Sequence, residues 1–214
     1  MNRYKTLNNL IPLGKLYIIS APSGAGKTSL IKQLRPQLPN LVVSVSHTTR
    51  SPRIGESEAQ DYFFVSIPTF EKMISEQAFL EYALVFGNYY GTAIATIDQK
   101  LQQGIDVILE IDWQGARQIK QLKPDCLSIF ILPPSIDILE QRLRQRGQDN
   151  EQIIQRRMSE SLTELSHYFE YDYLIVNADF SQALAELKSI FMAQRLLTKR
   201  QVSILSPWLK TLLN

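Results

Sequence analysis

Five short runs along the chain are mostly apolar, and segments with helical spacing or turn residues separate them. The runs are residues 16–19, 41–45, 107–112, 127–132 and 173–176. Such uniformly apolar strands are typical of a parallel sheet that is buried on both faces. Helices are predicted between the runs, with approximate bounds 28–35, ending near 104, starting near 115, starting at 136 and 181–199. The alternation predicts an α/β fold, a parallel sheet flanked by helices.

The pattern changes between residues 46 and 96, where a polar loop is followed by two predicted strands and one short helix. The strands are expected at 61–65 and 79–86, and the helix at 69–76. This segment interrupts the α/β alternation, so we interpret it as an inserted subdomain.

A second segment that departs from the core pattern is rich in arginine and covers residues 137–167. Ser135 is a plausible N-cap for a helix that starts at 136, and we interpret the segment as a mobile basic flap.

The sequence predicts five parts of the chain. They are an N-terminal extension (1–14), a core (15–45, 97–136 and 168–200), the inserted subdomain (46–96), the flap (137–167) and a C-terminal tail (201–214).

The tail is amphipathic when it is placed on a helix. Its apolar residues are spaced at roughly helical intervals, and Pro207 would suit a first helical turn. These residues are Val202, Leu205, Trp208, Leu209, Leu212 and Leu213. Packing against the chain's own core is the main interpretation, and a subunit contact or a flexible end are alternatives. A homo-oligomer is therefore possible.

Composition narrows the class of protein. The chain has 214 residues, 44% hydrophobic and 21% charged, with a net charge of +2. These values disfavour a disordered chain, and the charge is too small for a general nucleic-acid or membrane surface, so neither partner is expected. The single cysteine, Cys126, fits a reducing compartment, and no run approaches the about 18 apolar residues that span a bilayer. A cytoplasmic protein is expected.

The segment 21–28 has the spacing of a phosphate-binding loop, with Ala21 in place of the usual first glycine. It follows a predicted strand and precedes a predicted helix, which is the required context. Lys27 would reach the β- and γ-phosphates of a nucleoside triphosphate, and the Thr28 hydroxyl would bind Mg²⁺. The candidate residues for binding this triphosphate are Ala21, Pro22, Ser23, Gly24, Ala25, Gly26, Lys27 and Thr28. The added methyl of Ala21 is harmless if its φ stays below zero.

Two acids end the third apolar run, and such an acid helps to hold Mg²⁺ in phosphate-loop proteins. Glu110 and Asp112 alternate along the predicted strand and would face the same side. The residues themselves do not decide which carboxylate faces the metal; Glu110 is our candidate ligand beside Thr28.

Several further motifs occur in order over roughly residues 15–197. They are 46–53, Gly55-Glu56, Asp61-Tyr62, Glu81, 87–92, 110–115 and 142–147. Together these motifs resemble the guanylate kinase family, in its bacterial form. The resemblance implies a P-loop NTPase-type fold with a GMP-binding subdomain and a helical lid. It also implies transfer of a phosphoryl group from ATP to GMP, with Mg²⁺ as the cofactor, in purine nucleotide metabolism.

The resemblance also implies a GMP site in the inserted subdomain. Its phosphate would be held by Arg50, Arg53, Tyr62 and Tyr90, and its guanine would be read by Glu81, Ser46, Thr92 and Asp112. Arginine forks bind phosphate oxygens in pairs, and a carboxylate can accept both N1–H and N2–H of guanine. Adenine offers neither donor, so AMP would be rejected.

The flap corresponds to the family's lid, and its Arg142, Arg146 and Arg157 would join Lys27 as catalytic residues. Arg144 and Arg156 are interpreted as surface charges. Asn177 follows the last strand and either touches the adenine of ATP or is only a turn residue.

Three other functions compete with this interpretation. A related kinase of phosphorylated ribose would have no use for Glu81 and Thr92. A non-catalytic guanylate-kinase-like binding module usually has a degraded phosphate loop, whereas this chain keeps Lys27 and Thr28. A regulatory GTP-binding switch is disfavoured because the chain shows no recognisable Asn-Lys-x-Asp segment.

Overall fold

The structure is a computed structural model that describes residues 12–53, 55–85, 87–145 and 151–213. Its strands are β1 (Leu16–Ser20), β2 (Leu41–Val43), β3 (Ser46–Thr48), β4 (Tyr62–Phe64), β5 (Phe79–Val85), β6 (Asn88–Ala93), β7 (Asp106–Glu110), β8 (Leu127–Leu132) and β9 (Tyr173–Val176). Its helices are α1 (Lys27–Leu34), α2 (Ile67–Ser75), α3 (Ile94–Gln102), α4 (Trp113–Leu122), α5 (Ile136–Gln145), α6 (Glu151–Leu165), α7 (Phe180–Arg195) and α8 (Thr198–Leu213). The α/β fold class is confirmed.

A five-stranded parallel sheet forms the centre of the molecule, in the order β2-β7-β1-β8-β9. Alternate residues of β1 pack into two different hydrophobic clusters: Tyr17 and Ile19 belong to one, and Leu16 and Ile18 to the other. Side chains alternate across a strand, so both faces of the sheet are buried. The uniformly apolar runs correctly predicted this arrangement.

A second sheet has the order β4-β3-β6-β5 and is mixed, with parallel and antiparallel pairs. The sequence predicted β4 and β5 but not β3 or β6. Those two strands carry polar residues, as in Ser46-His47-Thr48, and so lack an apolar run. Pairing with neighbouring strands, rather than local preference, makes them extended. Strand β2 is shorter than predicted, because it ends at Val43 and was expected to end at residue 45.

Side-chain caps fix where several helices begin. The Ser135 hydroxyl accepts a hydrogen bond from the Ile138 N–H at 3.2 Å, as predicted for the start of α5. Ser66 caps α2, which therefore starts at Ile67 and not at 69. Asp179 caps α7 through the Gln182 N–H at 2.7 Å.

The single helix expected over 181–199 is two helices, α7 and α8. The break follows Arg195, and a buried carboxylate, Asp106, connects the two sides of it. Arg195 Nε donates to Asp106 Oδ2 at 2.8 Å, and Arg200 Nη2 donates to Asp106 Oδ1 at 3.1 Å. A straight helix would not bring both arginines to one acid, since residues five apart lie on different faces.

Helix α8 covers the tail, but it contains no buried residue. Ile204, Leu205 and Leu209 are half-buried, whereas Trp208 is 51% exposed and Leu213 is 86% exposed. Packing against the core is therefore incomplete. Pro207 lies inside the helix, and the prediction of a first-turn proline is wrong. Across the described residues, every helix is too short or too polar to cross a membrane.

Candidate active site

The phosphate loop connects the end of β1 to the first residue of α1, as the sequence predicted. Gly24 and Gly26 both have φ of +95°, a left-handed conformation that glycine adopts without steric cost. Among the described residues that are not glycine, those with positive φ are Asn40, Ala59 and Gln77. Ala21 is not one of them, so its φ is negative and its methyl group does not strain the loop.

Helix α1 opens directly onto this loop. Gly26 is its N-cap and has no side chain to cover the first amides. The backbone N–H groups at a helix N-terminus, together with the helix dipole, favour a bound anion. Lys27 is the first helical residue and is half-buried. The loop therefore offers backbone donors and one cation to a phosphate group.

Asn177 approaches the phosphate loop from β9. Its side-chain Nδ2 donates to the carbonyl oxygen of Ala25 at 2.7 Å, and the residue is 4% exposed. The prediction that Asn177 touches adenine remains untested, but its side-chain nitrogen already has a partner in the loop.

The candidate magnesium ligands lie next to each other. Thr28 Oγ1 is 3.4 Å from Glu110 Oε2, at the ends of α1 and β7 that meet beside the loop. A hydroxyl and a carboxylate are oxygen ligands of the kind that Mg²⁺ takes, and Mg²⁺ usually completes its shell with water and substrate phosphates. The two side chains therefore fit this ion.

The expectation that Glu110 and Asp112 face the same side of a strand is wrong. Strand β7 ends at Glu110, and Asp112 is the N-cap of α4, where its Oδ1 accepts from the Gly115 N–H at 2.9 Å. The chain turns between the two acids. Of the pair, Glu110 is the one beside Thr28.

The candidate guanine readers meet on the second sheet. Thr92 Oγ1 donates to Glu81 Oε1 at 2.6 Å, and Ser46 Oγ lies 3.4 Å from Thr92 Oγ1. Glu81 is 7% exposed and Thr92 is 1% exposed. Burial raises the pKa of Glu81 to about 6, with a smaller contribution from the nearby charge of Asp112, and the hydrogen bond from Thr92 opposes this shift.

A β-bulge sets the pairing of Glu81. Phe79 pairs with Ala93, but Glu81 pairs with Thr92, so Leu80 is an extra residue on β5. If Leu80 instead paired regularly with Thr92, the ladder that starts at Phe79 would place Glu81 opposite Gly91. The bulge therefore brings the carboxylate and the hydroxyl together.

Glycine at position 115 leaves space beside the same carboxylate. A Cβ at Gly115 would lie 3.4 Å from Glu81 Oε2 and 3.3 Å from Ile111 Cβ. Gly115 is in the first turn of α4, three residues after Asp112. The N-terminus of α4, with Asp112 as its cap, thus lies next to the Glu81 carboxylate.

The candidate phosphate-binding arginine Arg50 is held in place by Glu56. Arg50 Nη2 is 2.8 Å and 2.9 Å from the two oxygens of Glu56, and Nη1 donates to the Ser51 carbonyl at 2.7 Å. Its guanidinium carbon is 5.4 Å from the centre of the Tyr62 ring, and the ring centres of Tyr62 and Tyr90 are 5.9 Å apart. The structure therefore brings these three residues together.

Arg53 is exposed, and its backbone N–H donates to Glu56 Oε2 at 2.8 Å. Sequence reasoning gave Glu56 no role, although an acid six residues after Arg50 in one loop was a usable signal. The acid organises both candidate arginines, one through its guanidinium and the other through its backbone.

The lid arginines are on α5 and α6. Arg142 Nη2 lies 3.4 Å from the carbonyl oxygen of Asn177, which places it beside the phosphate loop. Arg157 is half-buried on α6. Arg146 lies outside the described residues. Arg144 pairs with Glu140 and Glu151, and Arg156 pairs with Glu160, as expected for surface charges.

Glu164 on α6 is a half-buried acid for which the sequence predicted no role. Its Oε1 is buried and has no hydrogen-bond partner. Burial, followed by the charge of Asp112, raises the pKa of Glu164 to about 7, while Lys27 and the Trp113 N–H act in the opposite direction. In sequence it resembles the other acids of a charged helix, so no signal distinguished it.

Comparison with known proteins finds matches over most of the chain. A family model described as guanylate kinase matches residues 13–194. Among curated relatives, guanylate kinase of Methylococcus capsulatus is 61% identical over 88% of this chain and 92% of its own length. That of Alkalilimnicola ehrlichii is 54% identical over 94% and 98%, respectively.

A solved structure gives the same result. The crystal structure of guanylate kinase from Anaplasma phagocytophilum is similar with a TM-score of 0.70 and 34% identity, covering 90% of this chain and 92% of that one. The residues matched by the family model, 13–194, include the central sheet, the inserted segment and the lid helices. The chain therefore belongs to the guanylate kinase family.

Proposed function

We propose that the chain catalyses ATP + GMP → ADP + GDP with Mg²⁺, the reaction that its family membership indicates. The observation that carries the proposal is the buried Glu81–Thr92 pair, combined in one chain with an intact phosphate loop. The loop alone supports binding of a nucleoside triphosphate. The buried carboxylate supports a guanine acceptor.

The donor half of the site binds the phosphates of ATP. The amides at the start of α1 and the Lys27 ammonium face the β- and γ-phosphates and neutralise charge as the phosphoryl group moves. Thr28 and Glu110 would hold Mg²⁺, which would supply positive charge that offsets the charge of the phosphates. Arg142 and Arg157, with Arg146, supply further positive charge from the lid.

The acceptor half binds GMP. Arg50, fixed by Glu56, directs its guanidinium at the phosphate together with Arg53, Tyr62 and Tyr90. The phosphate of GMP is already ionised at neutral pH, so it attacks without a general base, and we assign none. The chain's task is to hold the two phosphates in line and to exclude water.

Guanine is selected by the ionised form of Glu81. Its pKa of about 6 leaves the carboxylate mostly ionised above pH 7. An ionised carboxylate accepts N1–H and N2–H of guanine, while AMP would leave it buried without a partner. Such a mismatch can reduce the rate by as much as about 10⁴-fold. Ser46 and Asp112 complete the proposed set.

We also propose that the parts of the chain move during the reaction. GMP draws the subdomain 46–96 inward, and the lid 137–167 closes over ATP, while the core keeps its structure. Closure excludes water that would otherwise receive the phosphoryl group. ATP and GMP are the proposed partners, and a cytoplasmic location remains a prediction from the sequence.

The test is phosphoryl transfer from ATP to a panel of acceptors with Mg²⁺: GMP, AMP, CMP, UMP and ribose 1,5-bisphosphate. A strong preference for GMP is expected. Transfer mainly to the ribose bisphosphate would instead support the related kinase. Nucleotide binding without any transfer would support the non-catalytic binding module.

Two variants on α1 test whether the measured phosphoryl transfer depends on the phosphate loop. Lys27→Ala should reduce turnover by at least about 100-fold, since it removes a cation that faces the transferred charge. Lys32→Ala, an exposed lysine on the same helix, should leave turnover unchanged. Equal activity of the two variants would contradict the assignment of Lys27.

A further inference from the structure

Asn177 connects three separate parts of the molecule. It follows the last residue of β9, and its backbone N–H donates to the Leu132 carbonyl at 2.8 Å, which continues the pairing with β8. Its side-chain Nδ2 donates to the Ala25 carbonyl at 2.7 Å, across 152 positions of sequence. Its own carbonyl oxygen lies 3.4 Å from Arg142 Nη2 on the lid helix α5.

The close approach of Asn177 depends on glycine at position 26. A Cβ at Gly26 would lie 2.3 Å from Asn177 Nδ2, well inside contact distance. Gly26 therefore serves two purposes: it adopts the left-handed φ of +95°, and it leaves room for the amide. With 4% exposure, Asn177 is part of the wall behind the loop.

The geometry of the peptide bond explains what this contact does. The carbonyl of Ala25 and the N–H of Gly26 belong to one planar trans peptide unit, in which they point in opposite directions. A donor that fixes the Ala25 carbonyl on the protein side therefore turns the Gly26 N–H to the opposite side. Because Gly26 is the N-cap of α1, that N–H belongs to the phosphate-binding loop.

We propose that Asn177 is a positioning residue for phosphoryl transfer: it locks the Ala25–Gly26 peptide plane so that the Gly26 N–H faces the phosphates of the donor. The inference deepens the proposed function, because it assumes that the loop binds the ATP phosphates. Asn177 acts on the triphosphate part of the donor and not on its base.

The cavity beside Asn177 leaves room for the base of the donor apart from the Asn177 side-chain nitrogen. It has a volume of about 320 Å³ and opens between the loop, the lid helix and the start of α7. Its lining residues besides Asn177 are Gly24, Gly26, Ser29, Arg142, Ala178 and Phe180. A base placed there would meet Phe180, whose ring remains available when the Asn177 nitrogen is bound to Ala25.

The experiment compares donors that share phosphates but differ in base. In Asn177→Ala, the KM for ATP should rise about tenfold, the factor equivalent to about 1.4 kcal/mol, with GMP saturating. The KM for GTP and ITP should rise by the same factor. Inhibition by magnesium tripolyphosphate, which has no base, should weaken equally.

Two control variants and the Gly26 amide resonance separate a positioning role from a loss of folding. Asn177→Ser keeps a hydroxyl that is too short to reach Ala25 and should show the same pattern if Asn177→Ala folds poorly. Asp179→Ala, two residues away, removes the cap of α7 and should lower the melting temperature without changing the KM for any donor. The Gly26 amide resonance should shift in the Asn177 variants only.

Several outcomes would overturn the inference. If Asn177→Ala loses only the preference for ATP over GTP and ITP while tripolyphosphate binds normally, Asn177 reads the base. If donor kinetics and the Gly26 resonance stay unchanged, the contact is only structural. Failure of Lys27→Ala to affect ATP binding would instead contradict the proposed function itself.

Discussion

The Thr92 hydroxyl donates a 2.6 Å hydrogen bond to the Glu81 carboxylate, and both side chains are almost completely buried. This bond favours the ionised form of Glu81, while burial and the charge of Asp112 favour the protonated form. The pKa of about 6 is the balance of these opposing effects. Thr92 therefore helps to keep the carboxylate that we propose as the guanine reader charged at neutral pH.

Replacing Thr92 by valine should make GMP use more sensitive to acid. The variant keeps the side-chain shape but removes the donor, so the pKa of Glu81 rises and less of it is ionised at a given pH. We expect kcat/KM for GMP to fall about tenfold at pH 6.5, since a hydrogen bond to a charged group contributes about 1.5–3 kcal/mol. The loss should be smaller at pH 8.5.

The pH profile decides between a shift in the pKa and a simple lost contact. Thr211→Val, on the exposed face of α8, is the matched control and should keep the wild-type profile. A loss in Thr92→Val that does not grow on acidification would contradict the link to Glu81. Glu81→Gln should remove the limb assigned to this carboxylate, which falls as the pH drops through about 6.

The ion pair between Glu56 and Arg50 should control the affinity for GMP. In Glu56→Gln the guanidinium loses a charged partner that binds it through two oxygens, and it becomes less well ordered. The KM for GMP should rise about three- to tenfold, a range that corresponds to one weakened charge-assisted bond, with little change in kcat. Steady-state kinetics with GMP as the varied substrate measure this effect.

Glu71→Gln, an exposed acid on α2, removes the same charge from the same subdomain and serves as the control. A similar rise in KM for both variants would show a general effect of charge. In that case the contact with Arg50 would not be responsible.

Glu164 should make the folded protein less stable as the pH rises. Its pKa in the folded state, about 7, is above the value of 4.5 for an unperturbed glutamate. The folded form therefore binds the proton more tightly, and the resulting stability is lost between about pH 4.5 and 7 as the carboxyl ionises. Glu164→Gln should be more stable than wild type by about 1–3 kcal/mol at pH 8.

Denaturant unfolding at pH 4.5 and pH 8 tests this expectation. The advantage of Glu164→Gln should be nearly absent at the lower pH. Glu160 lies one helical turn away on α6 and is paired with Arg156. The effect of Glu160→Gln on stability should therefore not grow between pH 4.5 and pH 8. An equal advantage at both pH values would mean that ionisation of Glu164 is not its cause.

Asp106 should make Arg200 the most important residue of α8 for stability. The Asp106 side chain is completely buried and accepts from Arg195, Arg200 and the backbone N–H of Lys15. Arg200→Ala leaves one oxygen of a buried carboxylate with fewer donors, which should reduce stability by about 2 kcal/mol. Lys199→Ala, an exposed neighbour, should change it by less than about 0.5 kcal/mol.

A chain that ends at Leu205 lacks residues 206–214 but keeps Arg200, so its melting temperature can be compared with that of Arg200→Ala. Since α8 contains no buried residue, this truncation should lower the melting temperature less than Arg200→Ala does. A larger effect of the truncation would show that the half-buried Leu209 contributes more to stability than the ion pair.

The central sheet could be predicted from the sequence because each of its strands is a short, mostly apolar run. β8 and β9 have the predicted bounds, and β1 extends one residue further. The phosphate loop was equally clear, since its glycines, its lysine and its position between a strand and a helix are all local features. In these segments local preference and tertiary structure agree.

The second sheet and the contacts of the site could not be predicted in the same way. β3 and β6 are polar strands that form by pairing, and the role of Asn177 depends on a partner 152 residues away. Asp112 continues the apolar run of β7 in sequence, yet it caps a helix because the chain turns after Glu110. Contacts between distant segments decide these features.

The extra residue Leu80 on β5 decides which residue of β6 lies opposite Glu81. Glu81 meets Thr92 only because the bulge shifts the register by one position; otherwise it would face Gly91, which has no side chain. The proposed choice of base therefore depends on backbone register as well as on residue identity. Regular pairing of Leu80 with Thr92 would keep every amino acid of the chain and still separate the Glu81 carboxylate from the Thr92 hydroxyl.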